Sequence, residues 1–259
     1  MKIKIFKRGF NYSQDGRGNR LVIHMQGCNL RCPWCTNPEG LETDGVLMKT
    51  HENGRPRLSC EEWDLDELLK LCHESSSLFF DGGGVTFTGG EPTVQGDALM
   101  EALEALQKSG IHTAVETNGT SPRLPDFFPF IDQLIVDFKT ADPEKHRKFL
   151  GPGGEILVEN IRRTLAEHRD FIIRLPLFHG FNTSDEDLEG FLSVLGEGPR
   201  GHGAFEFLAY HEFGVVKWKQ CGLEYGQGGF ANFHFDVPPE VIRRFKDAFI
   251  SKRLQVIHT

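Results

Sequence analysis

An α/β fold built on a parallel sheet is what the 259-residue sequence predicts, and three observations predict it. Apolar β-rich runs alternate with helical patterns from residue 21 to the end, as parallel strands joined by crossover helices require. The helical patterns have recognisable starts and stops. Five of six strand candidates run into polar or glycine-rich motifs, and in such folds functional groups gather at the carboxyl ends of the strands. The alternation suits a doubly wound sheet or a barrel equally, because periodicity does not separate them.

The first strand is LVIHM at 21–25, and a cysteine cluster follows it directly. Residues 41–63 are polar and contain an Asn-Gly turn signal, so they read as a long surface connection that makes no second domain. Asp64 with Glu67 three positions on resembles a capping pair. It precedes a helix whose stripe is Leu65, Leu68, Leu69 and Cys72, the spacing of a buried face. The second strand, VTFT at 85–88, runs into TGGEP. A helix near 97–109 buries Leu99, Leu103 and Leu106 and stops at Gly110. The third strand, HTAVET at 112–117, closes in ETNG, and the fourth, QLIVDF at 133–138, runs into DFK. PEKHRKFLG begins with Pro143, suited to a first helical turn, and ends at Gly151. EILVENIRRTLAEH supplies the next helix, then come the fifth strand FIIRLPLF at 171–178 and the helix SDEDLEGFLSVLGE. The sixth strand, FEFLAY at 205–210, runs into YHEFG, and PPEVIRRFKDAFISK is the last helix. Residues 1–259 read as one domain.

Composition narrows the function classes. A formal charge of −8 argues against nucleic acid or an anionic membrane as partner, since both need a basic footprint. There is no apolar run of about 18 residues, and the start MKIKIFKRGFNYSQDGRGNR lacks the apolar core of a leader, so the expected location is cytoplasmic. Six cysteines over this length are too sparse for a disulfide scaffold. Cys72 reads as core, and Cys60 and Cys221 receive no role.

Cys28, Cys32 and Cys35 lie within eight positions, with no fourth cysteine close behind. Thiolates select zinc, copper(I) or iron–sulfur clusters, and structural zinc wants a fourth ligand at closed-site spacing. His24 is the nearest histidine, but alternation with Val22 is expected to point it away. A three-thiolate [4Fe–4S] cluster instead leaves one iron free for a substrate or cofactor. In GGE, Gly89 and Gly90 let a backbone approach a ligand closely, and the Glu91 carboxylate suits an ammonium group. Glu116 and Asp137 stand at strand ends, where they suit a hard cation through oxygen, and His211 stands at the end of the sixth strand.

Together these residues resemble the radical S-adenosylmethionine (SAM) superfamily, whose signature is C-x3-C-x2-C with an aromatic residue before the last cysteine, here Trp34. More narrowly, GCNLRCPWCTNPEG, GGGVTFTGGEP, GIHTAVETNG, IVDFKTADPEKHRKFLG, IIRLPLFHGFN and FEFLAYHEFGVVKWKQCGLEY are similar in order to glycyl-radical-enzyme activating enzymes of the pyruvate formate-lyase activase type. The resemblance implies an open (β/α)6 partial TIM barrel. It implies a [4Fe–4S] cluster on Cys28, Cys32 and Cys35, with SAM on the open iron. Trp34 and Thr36 match positions at the SAM adenine, and Gly90 and Glu91 match the methionine-amino contacts. Asp137, Phe138 and Lys139 match the methionyl end, and a monovalent cation is expected there with Asp137 and Glu116 as ligands. Arg174 matches a basic position near the ligand, and His211 a SAM-contacting histidine.

The implied reaction is reductive cleavage of SAM followed by removal of a hydrogen atom from a glycine Cα of a partner glycyl radical enzyme. Flavodoxin or ferredoxin is the implied electron donor, under anaerobic conditions, and the activase itself is expected to be a monomer. The family's DGPGIR appears here as DGRGNR at 15–20, with Arg17 and Asn19 as departures in a segment that lies near the partner-peptide channel in the family. Many relatives insert a ferredoxin-like domain after the signature. Residues 41–63 hold only Cys60, so the chain is closer to the compact activases. Two other readings stand beside this one: a radical SAM enzyme acting on a small molecule or peptide, and a non-catalytic zinc or iron–sulfur module.

Overall fold

Strands with a period of two give each residue a side, and here the two sides have opposite chemistry. The computed structural model describes residues 1–49, 55–198, 203–226 and 236–257. In chain order these form β1 (Lys2–Tyr12), β2 (Asn19–Met25), β3 (Leu47–Lys49), β4 (Pro56–Leu58), β5 (Glu61–Asp64), α1 (Leu65–Glu74) and β6 (Gly84–Gly89). They continue with α2 (Gly96–Lys108), β7 (Thr113–Thr117), α3 (Leu124–Phe127), β8 (Gln133–Asp137), α4 (Pro143–Phe149) and α5 (Gly154–Glu167). The chain closes with β9 (Phe171–Leu177), α6 (Asp185–Leu195), β10 (Ala204–Ala209), α7 (Val215–Gln220), α8 (Pro239–Ser251) and β11 (Val256–Ile257).

The main sheet has nine strands in the order β11-β10-β9-β8-β7-β6-β2-β1-β5. From β2 to β11 every neighbour is parallel, whereas β1 runs antiparallel to both β2 and β5. The six predicted strands are the parallel run from β2 to β10, and the sequence order of that run is the order in the sheet, which is the winding of a barrel left open. Outward residues such as Ile23, Phe87, Val115, Val136, Ile173 and Phe205 join the helices in one apolar core. The alternate residues Arg20, Thr86, Thr88, Glu116, Arg174 and Glu206 bond to one another across strands, so the inner face carries a polar network beside apolar residues such as Val22, Ile135 and Ile172.

Three sheet strands escape the sequence reading. In β1, Lys2, Lys4, Lys7 and Arg8 mask the alternation of Ile3 and Ile5, which are buried. β5 lies in the stretch read as a surface connection, as does the small antiparallel pair β3–β4; the turn signal at 53–54 is outside the described residues. β11 has only two residues, and the short α3 and α7 carry too little periodicity to be read. The capping expectation at α1 is also corrected. Asp64 takes the N-cap backbone position but makes no side-chain cap, because its carboxylate accepts from Lys2 Nζ at 3.0 Å. Caps do form at α4, where Asp142 accepts from Glu144 N and Lys145 N, and at α6, a reciprocal Ser184–Asp187 box.

The DGRGNR turn between β1 and β2 covers the amino-terminal end of the parallel strands. Arg17 N donates to Gln133 Oε1 at 2.9 Å and its guanidinium to Asp170 Oδ2 at 2.6 Å. Buried Arg20 donates to Thr86 Oγ1 at 2.6 Å and to the Val85 carbonyl at 2.8 Å. Arg17, a departure from the family pattern, is therefore a tie across the barrel floor.

Leu103 is fully buried between α2 and the sheet. Leu103→Ala is expected to cost about 3 kcal/mol of stability in urea unfolding, the usual size for an unfilled leucine site.

Candidate functional site

At the carboxyl end of β2 the chain turns at Gly27 into a loop closed at its base like a noose. Gly27 N donates to the Gly40 carbonyl at 2.9 Å and Cys28 N to the Leu41 carbonyl at 3.0 Å. Gly90, just past β6, lies against this base: a Cβ there would meet the Gly27 carbonyl oxygen at 2.2 Å and that of Gly40 at 2.5 Å. Gly89 adopts φ +125, the left-handed region open to glycine. Gly90 is thus demanded by the cysteine loop, and Gly89 by its φ and by the β2 backbone, where a Cβ would meet Met25 N at 2.4 Å. Cys28, Cys32, Cys35, Gly89 and Gly90 all line one cavity of about 540 Å³, within the size range of ligand pockets.

Glu91 departs from expectation. Its side chain is 1% exposed and does not line the cavity. Oε1 accepts from Thr93 N, Thr93 Oγ1 and Thr117 Oγ1, and Oε2 accepts from Asn118 N at 2.7 Å. Burial pushes its carboxyl up, opposed by these bonds. These four donors commit it to the protein, where it joins the end of β6 to the end of β7. Asn118 in turn donates to Asn29 Oδ1 at 2.9 Å, and Asn29 to Thr120 Oγ1 at 2.7 Å, which fastens the third strand end to the cysteine loop.

Trp34 and Thr36 line the cavity. The Trp34 ring stacks on Phe178 at 4.0 Å and tilts against Phe181 at 4.7 Å, giving the cysteine loop an apolar wall. Asp137 and Lys139 also line it, paired with each other at 2.7 Å. Burial disfavours the Lys139 charge, but Asp137 and the nearby Cys32 and Cys28 outweigh it and raise the ammonium pKa. Phe138 is corrected. Its ring is fully buried and packs edge-on against Phe191 at 5.0 Å, because it occupies the outward side of its strand line. His211 stands exposed at the rim, stacked on Phe213 at 4.2 Å.

Arg174 lines the cavity, yet its guanidinium is committed to the protein. It donates to Glu206 Oε2 at 2.6 Å, to Glu116 Oε1, and to the Gln14 carbonyl at 2.7 Å. Glu116 also accepts from Thr88 Oγ1 at 3.0 Å; burial pushes its carboxyl up and Arg174 opposes this. The two carboxylates expected at a cation site, Glu116 and Asp137, each face a cation of the chain.

Sequence reasoning named no site residue on one wall, although the resemblance places the segment 15–20 near the partner-peptide channel. Asn11, Gln14 and Asp15 of the β1–β2 hairpin line the cavity, and so does His24, which pairs with Lys7 of β1 and shares the inner face with Arg20. The expectation that His24 points away is overturned, because Val22 and His24 both face inward while Leu21, Ile23 and Met25 pack under the helices.

The cysteines fit an iron–sulfur cluster by donor chemistry and by placement. Burial raises all three thiols, Cys28 to about 12, so they ionise only with a positive partner such as a metal. Among the described residues no three His, Cys, Asp or Glu side chains converge as a single ion requires. A cluster takes each thiolate on a different iron, so its ligands need not converge.

A family profile described as the Radical SAM superfamily matches residues 22–192. The choline trimethylamine-lyase activating enzyme of Oleidesulfovibrio alaskensis is 30% identical over 82% of this chain and 84% of its own length. The (2S)-3-sulfopropanediol sulfolyase activating enzyme of Bilophila wadsworthia is 29% identical over 82% and 86%. In fold, a domain of the pyruvate-formate lyase-activating enzyme from Bacteroides vulgatus matches with a TM-score of 0.54 at 24% identity, covering 68% of this chain and 98% of that one. QueE from Escherichia coli matches with a TM-score of 0.57 at 16% identity, covering 99% and 93%.

Burial, with the charge of Lys7, pushes His24 from 6.5 down to about 4, and its Nδ1 is buried with no hydrogen-bond partner among the described residues. Between these values the unfolded chain binds a proton that the folded one refuses, so stability falls as pH falls through that window. Urea unfolding of the apoprotein across the window is expected to show a shallower loss for His24→Phe than for the parent.

Proposed function

The chain belongs to the radical SAM superfamily, and on that premise we propose that it is an oxidoreductase that activates a glycyl radical enzyme, with a [4Fe–4S] cluster and SAM as cofactors. One observation carries the reading: three half-buried thiols share a cavity with the Gly89–Gly90 strand end and Lys139, in a chain whose curated relatives are named activating enzymes. When bound, the cluster and SAM supply one-electron chemistry that removes a hydrogen atom from a glycine Cα of the partner.

The chain's own residues hold, shield and admit. Cys28, Cys32 and Cys35 hold the cluster, and the Lys139 charge beside them stabilises the thiolates. Trp34 and Phe178 exclude water from the cysteine side. Thr36, Gly90, Asp137 and His211 surround the space for SAM, and Glu91 and Arg174 act by holding strand ends in place. Asn11, Gln14 and Asp15 present hydrogen-bonding groups on the opposite wall, suited to a polypeptide loop of the partner. A monovalent cation at Asp137 and Glu116 has less support, because Lys139 and Arg174 stand there. The partner supplies the glycine, flavodoxin or ferredoxin the electron. The activase works as a single-domain monomer in the cytoplasm, with residues 41–63 as a connection in place of a ferredoxin-like insert. Among the described residues no helix is long and apolar enough to cross a membrane.

Anaerobic reconstitution with iron and sulfide is expected to turn the protein brown, and dithionite then to release methionine and 5′-deoxyadenosine from SAM. Cys32→Ala is expected to reduce both to background. A colourless protein that binds zinc and leaves SAM intact would sink the reading.

A further inference from the structure

After β10 the chain doubles back over the cysteine loop. Gly214 lies so close that a Cβ would sit 2.6 Å from the Cys35 carbonyl oxygen and 2.9 Å from Thr36 Cα. That approach sets α7 against the loop. Trp218, 4% exposed, then donates its indole Nε1–H to the Cys35 carbonyl at 2.7 Å across 183 positions of sequence. Its neighbour Lys217 donates to Asn37 Oδ1 at 2.8 Å and pairs with buried Glu39 at 2.7 Å. Further on, Gly226 N donates to the Pro33 carbonyl at 3.2 Å.

The rest of the loop is tied elsewhere. Cys28 is fixed by Leu41, and Arg31 N donates to the Leu150 carbonyl at 2.8 Å beside Cys32. Among the described residues, the Cys35 carbonyl accepts only from Trp218. We infer that Trp218 is a positioning residue for the cluster: its N–H holds the backbone of the third cysteine and offsets the negative end of that carbonyl beside the metal. Partners one shell beyond metal ligands act in this way, and losing one typically costs about 10–100-fold in affinity. Hydrogen bonding around a cluster also sets its potential. An uncompensated carbonyl dipole opposes adding an electron, so removing the N–H lowers the potential. The inference rests on the assignment of Cys35 as a cluster ligand.

The test compares the reconstituted protein with Trp218→Phe, which keeps an aromatic ring and removes the donor, and with Gly214→Ala, which pushes α7 off Cys35 and leaves the indole intact. Three quantities are read: iron loss to a chelator, the midpoint potential and signal shape of the reduced cluster by electron paramagnetic resonance, and unfolding of the apoproteins. Both variants are expected to lose iron about 10–100-fold faster, with a more negative midpoint and an altered signal. A purely structural tryptophan would lower apoprotein stability and leave the potential and signal of retained cluster unchanged, and that result overturns the inference. Should Trp218→Phe not fold, Gly214→Ala decides alone by the same readouts. If the parent protein takes up no cluster, it is the functional reading that fails.

Discussion

A buried guanidinium organises the inside of this barrel. Arg174 on β9 is bonded to Glu116 on β7, to Glu206 on β10 and to the Gln14 carbonyl of the β1–β2 hairpin. A charge buried this deeply persists only with its partners in place, and removing one leaves the others uncompensated. One side chain therefore ties β7, β10 and the hairpin to β9. The barrel centre can stay polar and partly open, where an ordinary barrel fills with aliphatic layers.

The site above this hub is assembled from strand ends that grip one another. Gly90 touches the base of the cysteine loop, Glu91 ties that strand to Thr117 and Asn118, and Asn118 reaches back to Asn29 in the loop. Each strand end is thus fixed by another. The three thiols therefore sit in a frame of mutually bonded strand ends, and the hairpin residues Asn11, Gln14 and Asp15 line the same cavity. The chain's membership of the radical SAM superfamily accords with a cavity whose walls differ in this way, one carrying thiols and the other the hairpin.

Much of this was legible in the sequence because it is local. The Cys28, Cys32 and Cys35 spacing, the glycines at 89–90 and the six parallel strands follow from residue order and from periodicity over short windows. The chain's membership of an activating-enzyme family was legible for the same reason, since the motifs occur in order. What misled the reading were side chains whose neighbours come from distant strands. Glu91 beside two glycines resembles a ligand-binding carboxylate, and only the approach of Thr117 and Asn118 makes it a structural one. Phe138, between two cavity residues, points outward because its strand line continues past Asp137. His24 was assigned to the wrong face, as both faces of β2 are buried and burial on each side hides which one is the core.

The sequence by itself determined the fold class, the clustered thiols and the strand-end motifs, each being a property of residues near one another along the chain. The tertiary structure alone decided which carboxylates are already spent, that β1 joins the sheet, and that Trp218 meets Cys35. Those depend on pairings between residues tens to hundreds of positions apart, and no local pattern encodes which hydrogen-bond donor reaches which acceptor once the chain has closed.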